Sequence, residues 1–80
     1  MFTVYALKSL NHNFTYIGMT EKFDERFVRH NKGDVRSTKR FAPFKLIYTE
    51  NCETGQQARE REKYLKSSSG KRFLKSFIEK

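Results

Sequence analysis

The sequence predicts a small α/β domain of the α+β kind, with the element order ββαβαα. Two observations carry this. Runs rich in β-branched and aromatic residues occur at residues 2–8, 14–18 and 44–49, the first two separated by turn chemistry. Between and after them lie stretches with helix caps and apolar residues at helical spacing. The 80 residues suffice for one domain, 1–80, with no internal repeat and no linker. A chain of this size buries only roughly 60% of its unfolded surface.

In chain order, Phe2-Thr3-Val4-Tyr5-Ala6-Leu7-Lys8 and Phe14-Thr15-Tyr16-Ile17-Gly18 flank Asn11-His12-Asn13 and read as a β-hairpin. Pairing residues whose numbers sum to 21 would set Tyr5 opposite Tyr16, with both phenols on one face. Thr20 can cap a helix with Glu21, Asp24 and Glu25 in its first turns, stopped by Asn31 and Gly33. Phe23, Arg26, Phe27 and His30 fall along one stripe of it. Residues 33–43 hold Gly33, Ser37, Thr38 and Pro43 among basic residues without apolar periodicity, which predicts an exposed, unpacked loop. Phe44-Lys45-Leu46-Ile47-Tyr48-Thr49 is the third strand. Thr54 with Gln57 three residues on forms a capping-box start for a helix reaching about Lys66. Ser67-Ser68-Ser69-Gly70 breaks it, and Phe73, Leu74, Phe77 and Ile78 form one face of a short closing helix.

Charge narrows the function classes. Seventeen Lys and Arg against nine Asp and Glu give +8, and the mean hydropathy is −0.85, which excludes a transmembrane span and favours an anionic partner. Residues 1–28 are neutral, 29–45 and 59–80 each carry +5, and 46–58 carry −2. Two basic zones can bracket one phosphate backbone, with Arg36, Lys39 and Arg40 of the polar loop as contacts. The third reading of a basic chain, attachment to anionic lipid, needs a longer amphipathic helix than residues 70–80 supply. A single cysteine, Cys52, has no internal disulfide partner, and with only His12 and His30 beside it a zinc cage is excluded. The start, Met1-Phe2-Thr3-Val4-Tyr5, has no basic leader before an apolar run, so no secretory signal is expected and a reducing, cytoplasmic compartment fits.

Several blocks together carry a resemblance. Thr3-Val4-Tyr5 followed by Tyr16-Ile17-Gly18, then Arg26-x-x-x-His30-Asn31, Pro43-x-x-Leu46-x-Tyr48-x-Glu50, and Ala58 with Arg61-Glu62-x-x-Leu65-Lys66, resemble the GIY-YIG nuclease family over nearly the whole chain. The likeness is closest to compact stand-alone members related to the nuclease domain of the excision-repair subunit UvrC. It implies a three-stranded antiparallel sheet flanked by helices, metal-dependent hydrolysis of a DNA phosphodiester, and a place in DNA repair or processing. Three departures stand out: Thr3 replaces the first glycine of the motif, Met19 stands where UvrC-like members carry a lysine, and no asparagine follows Asn51.

Cutting a phosphodiester needs an oriented water, a base, positive charge for the transition state and stabilisation of the leaving oxygen. Tyr5 or Tyr16 could assist deprotonation of water, and which of them does is left open by the sequence; each could equally be an amphipathic filler at the sheet rim. Arg26 and His30, at i and i+4, share a helix face with Phe23 and Phe27. They read either as a snorkelling cation with a rim histidine, or as a guanidinium fork on the phosphate with an imidazole beside it for proton transfer or orientation. The resemblance implies the second, and implies that Glu62 is the single protein ligand of a divalent metal, Mg²⁺ or Mn²⁺. On spacing alone Glu62 is an ordinary helix carboxylate paired with Lys66. The alternative from another class is a catalytically silent nucleic-acid-binding module of the same fold.

Overall fold

A computed structural model describes residues 1–78; Glu79 and Lys80, counted in the second basic zone, lie outside the described residues. The elements are β1 (Phe2–Ser9), β2 (Thr15–Thr20), α1 (Phe23–Lys32), a single 3₁₀ turn (Lys39–Phe41), β3 (Phe44–Cys52), α2 (Gly55–Lys66) and α3 (Ser68–Ile78). The strands form one antiparallel sheet in the order β2-β1-β3, as the ββαβαα reading requires. β1 takes the centre because its run Val4-Tyr5-Ala6-Leu7 is apolar on both faces, and all four residues are buried.

Side-chain alternation divides the core in two. Val4, Ala6 and Ile17 point to the face covered by α2 and α3, where Ala58, Leu65 and Leu74 complete a cluster with the free, buried Cys52. Tyr5 and Leu7 point to the other face and pack with Phe44 and with Phe23 and Phe27 of α1. The sheet is therefore sandwiched, with α1 on one side and the α2–α3 pair on the other.

The hairpin register differs from the expected one. Tyr5 pairs with Gly18 and Leu7 with Tyr16, so partner numbers sum to 23 and not 21. Because the slip is two residues, side-chain parity is preserved and both phenols stay on one face, now as diagonal neighbours with ring centroids 6.1 Å apart. Thr20 does not cap α1. It ends β2, its Oγ1 accepts a hydrogen bond from Lys22 N–H (3.1 Å), and α1 starts at Phe23 without a side-chain cap. The C-terminus follows expectation: Gly33 adopts φ 77°, and the N–H groups of Gly33 and Asp34 donate back to the carbonyls of His30 and Arg29. Asn31 serves β3, its Oδ1 accepting from Phe44 N–H at 2.6 Å.

The segment 33–43 is not the unpacked loop its composition predicts. Thr38 is fully buried, Phe41 stacks on Phe14 at 4.0 Å between centroids, and Ser9 Oγ donates to the Phe41 carbonyl. These contacts join residues distant in sequence and leave no periodic trace. β3 runs three residues beyond the expected Thr49, to Cys52, because it pairs with β1 as far as Phe2. The Thr54–Gln57 capping box is present, Thr54 Oγ1 accepting from Gln57 N–H at 3.1 Å. The Ser67-to-Gly70 break contracts to one residue. Ser67 closes α2 by donating its N–H to the Tyr64 carbonyl, and opens α3 by accepting from Gly70 N–H at 3.2 Å. Gly70 belongs to α3, and a Cβ there would collide with the Tyr64 carbonyl oxygen and the Leu65 Cα, so its bareness is what lets α3 fold back closely on α2.

Candidate active site

Tyr5 and His30 form a buried pair between β1 and α1. The Tyr5 ring reaches across β2 above Gly18, where a Cβ would stand 2.7 Å from the phenolic oxygen and 2.8 Å from a Tyr16 ring carbon. The final glycine of Tyr16-Ile17-Gly18 is thus a space requirement of the tyrosines. The Tyr5 hydroxyl lies 3.1 Å from His30 Nε2, and His30 Nδ1 lies 2.8 Å from Thr38 Oγ1. Thr38 donates its single hydroxyl hydrogen to the Val35 carbonyl (3.4 Å). Its oxygen is then an acceptor, Nδ1 carries the imidazole hydrogen, and Nε2 accepts from Tyr5. The chain runs Tyr5 O–H to His30, His30 N–H to Thr38, and Thr38 O–H to Val35. Tyr16 closes the box with its ring 4.9 Å from that of His30, and Phe44 stands 5.9 Å away.

Burial raises the pKa of Tyr5 well above the phenol range, with Tyr16 and Glu62 acting in the same direction and Arg26 opposing. Both charged groups therefore lie within electrostatic reach of this one hydroxyl. Arg26 belongs to α1 and Glu62 to α2, helices that pack on opposite faces of the sheet. Burial also lowers the pKa of His30 below the usual 6.5, assisted by Arg26 and Arg29. The imidazole is neutral near pH 7. It has no exposed surface, so it does not stand beside Arg26 at the surface as the i, i+4 spacing suggested; it lies behind the tyrosines.

Arg26 is half-buried and lines an open groove with Thr20, Lys22, Glu25 and Arg29. Glu62 is also half-buried, and its ion pair with Lys66 is a long one at 3.9 Å, leaving the carboxylate lone pairs largely uncommitted. Tyr5, Tyr16 and His30 are thus in mutual contact, and Arg26 and Glu62 lie within electrostatic range of Tyr5. Arg36, Lys39 and Arg40 are exposed on the segment that also carries the buried Thr38, so a polar contact edge is anchored directly to the His30 box. Sequence reasoning missed Thr38, whose buried hydrogen bond has no local signature. Beside the site, Glu50 accepts from Tyr48 (2.6 Å) and Arg61 (2.9 Å). Burial works to raise the Glu50 pKa, but these donors outweigh it and hold it below the carboxylate range. The motif blocks around Tyr48, Glu50 and Arg61 thereby fasten β3 to α2.

The chain is 36% identical over 64 residues to a UPF0213 protein of Clostridium perfringens (strain 13 / Type A), an alignment covering 79% of this chain and 68% of that one. No solved structure matches. The family model described as the GIY-YIG catalytic domain matches residues 1–75, from the start of the hairpin that holds both tyrosines to the helix that closes the core, and by that match the chain belongs to the nuclease-type GIY-YIG family.

Proposed function

We propose that this chain hydrolyses phosphodiester bonds in DNA, in repair or processing, with the help of one divalent cation, Mg²⁺ or Mn²⁺. The observation that carries this reading is the gathering of two tyrosines, a neutral histidine, an arginine and a carboxylate around one buried phenol, from both faces of the sheet. Arg26, with its guanidinium beside an open groove, is suited to the scissile phosphate. Tyr5 is committed as a donor to His30 and is kept protonated by burial, which suits orientation. Tyr16 is half-exposed on the same face, which suits its phenolic oxygen to accept a hydrogen bond from the attacking water and so orient it. His30 is the anchor that fixes Tyr5.

Glu62 fits a hard cation. Among the described residues no three His, Cys, Asp or Glu side chains cluster as a cage, and Mg²⁺ needs none, since it takes one or two carboxylates, phosphate oxygens and water. Such an ion would supply positive charge where negative charge develops on the phosphate. Arg36, Lys39 and Arg40 would bind the flanking backbone.

Incubation with labelled DNA structures (flap, nick, branched junction, duplex) in Mg²⁺, Mn²⁺ or chelator tests the reading. Glu62→Gln keeps size and helix propensity but removes the charge, so cleavage and metal binding fall together while DNA affinity holds or rises. Arg26→Ala loses cleavage and part of the affinity, because a guanidinium serves ground and transition states alike. Absence of cleavage of every structure in either metal, with metal titration unchanged in Glu62→Gln, would replace the nuclease by a nucleic-acid-binding module.

A further inference from the structure

We propose that Thr38 is a positioning residue of the reaction, which acts through His30 to set the direction of the Tyr5 hydroxyl, an inference resting on the reading that the chain hydrolyses phosphodiesters. Packing alone does not call for a threonine here. Thr38 has no exposed surface, valine would fill the same volume, and a buried hydroxyl is costly unless it is bonded. Its partners explain it: His30 Nδ1 at 2.8 Å and the Val35 carbonyl at 3.4 Å. Behind the sheet face that carries the tyrosines, three buried polar groups thus follow one another, and among the described residues none of their buried side-chain atoms is left without a partner.

The innermost donor fixes all the others. A carbonyl can only accept, so the threonine hydrogen goes to Val35, the threonine oxygen faces Nδ1 as an acceptor, and the imidazole hydrogen is held on that nitrogen. Nε2 is then bare and takes the Tyr5 hydrogen across 3.1 Å. With its hydrogen turned inward, the Tyr5 oxygen offers only lone pairs to the side where Tyr16 stands and from which the Arg26 charge acts. The other tautomer reverses this. Nε2–H would donate to the Tyr5 oxygen, the phenol hydrogen would turn outward, and it would compete for the Tyr16 oxygen that is to receive the attacking water. Thr38 decides between the two states. It also stands between Arg36 and the Lys39–Arg40 pair, so the turn that presents these exposed cations to a phosphate backbone on its outside orients Tyr5 from its inside.

The test combines three measurements: single-turnover cleavage of labelled flap, nicked and branched DNA at saturating protein in Mn²⁺, DNA affinity in chelator, and ¹⁵N NMR of the His30 ring. Thr38→Val should slow cleavage about tenfold, the bias that one buried hydrogen bond places on a two-state equilibrium, and should move ring hydrogen from Nδ1 to a mixture of tautomers. Its DNA affinity should stay within about twofold of wild type. Thr38→Ser should restore both rate and tautomer. Ser9→Ala removes the 2.7 Å bond to the Phe41 carbonyl that anchors the same segment but leaves Thr38 and His30 intact, so it should lower the melting temperature and change neither rate nor tautomer. Circular dichroism checks that each variant is folded at the assay temperature. Cleavage by Thr38→Val at the wild-type rate, an equal slowing in Ser9→Ala, or no recovery in Thr38→Ser would each overturn the proposal. So would a wild-type His30 with its hydrogen on Nε2, a result that needs no variant. If wild type cuts none of these DNAs, the nuclease reading fails and the ring spectra decide the rest: a tautomer that follows Thr38 supports its hold on Tyr5, and an unmoved one overturns it.

Discussion

Gly18→Ala probes the link between fold and site most directly. The new methyl would meet the Tyr5 oxygen at 2.7 Å, its Cζ at 2.9 Å and a Tyr16 ring carbon at 2.8 Å. Ordinary contacts require about 3.5 Å or more, so the phenol must move by roughly 0.7 Å. It cannot move freely, because Tyr5 is 1% exposed and its hydroxyl is bonded to His30 at 3.1 Å. Movement away from both β2 and His30 stretches that bond beyond hydrogen-bonding range. Overpacking costs about 1–3 kcal/mol and the lost bond about 1, while replacing glycine returns about 0.4–1 through the unfolded chain. The net destabilisation is about 1–4 kcal/mol, and at roughly 4–8 °C per kcal/mol for a domain of this size the melting temperature should fall by at least ~4 °C. Calorimetry and guanidinium titration measure this. Since the nearest clash is with the hydroxyl oxygen, Tyr5→Phe should relieve part of the cost, and the double variant should be less destabilised than the sum of the singles. A Gly18→Ala protein with wild-type melting temperature, or singles that add, would refute the claim that this glycine exists to seat Tyr5.

Gly70→Ala places a methyl against the backbone of Tyr64 and Leu65, which cannot swing aside as a side chain can, so it should cost more than Gly18→Ala and expose Leu74; equal or higher stability by denaturant titration would contradict the close α2–α3 approach. Thr38→Val should destabilise by about 1 kcal/mol or more by orphaning His30 Nδ1–H, with Thr38→Ser restoring most of it, and ¹⁵N shifts of the His30 ring should report hydrogen on Nδ1 in the wild type. His30 has a folded-state pKa below its unfolded value of about 6.5, so the unfolded state binds more protons as pH falls below 6.5; stability is full above that pH and declines toward the folded pKa by up to ~1.4 kcal/mol per unit. His30→Gln should flatten the unfolding midpoint over that range. DNA affinity should fall with salt at about −0.9 per phosphate neutralised on duplex, and neutralising Arg36, Lys39 and Arg40 together should reduce both affinity and slope without lowering the melting temperature.

What was legible in the sequence follows from how local each cause is. Strands, helices, the capping box and the Gly33 stop depend on neighbours within four residues and were read correctly in kind and order, although Thr20 does not cap α1 and β3 runs on to Cys52. The shared face of Tyr5 and Tyr16 was legible for a sturdier reason: parity survives any even slip in register, so an incorrect pairing still gave the right face. The packing of 33–43 was not legible, because Thr38 and Phe41 are held by His30, Ser9 and Phe14, partners 8 to 32 residues away whose proximity exists only after the sheet forms. The burial of His30 was missed for the same cause. Its i, i+4 relation to Arg26 is real, but a helix seated on a sheet can bury one member of such a pair and leave the other at the rim.

The division of the site between two faces binds its integrity to that of the whole domain. Tyr5, Tyr16, Arg26 and His30 belong to the α1 face, whereas Glu62 stands on α2, whose position is set by Ala58, Leu65 and the Gly70 contact on the other face. β2 is an edge strand of the sheet, so α1 on one face and α2 on the other can both present side chains near its border. A corollary separates site chemistry from packing. Loosening α3, as in Leu74→Ala, creates a cavity costing about 2–5 kcal/mol and should shift Glu62 without touching the Tyr5–His30–Thr38 chain. Metal affinity should then weaken while the His30 ring shifts stay as in wild type. If both moved together, the two faces would be acting as one rigid unit, and the site would not be divisible along the sheet as argued.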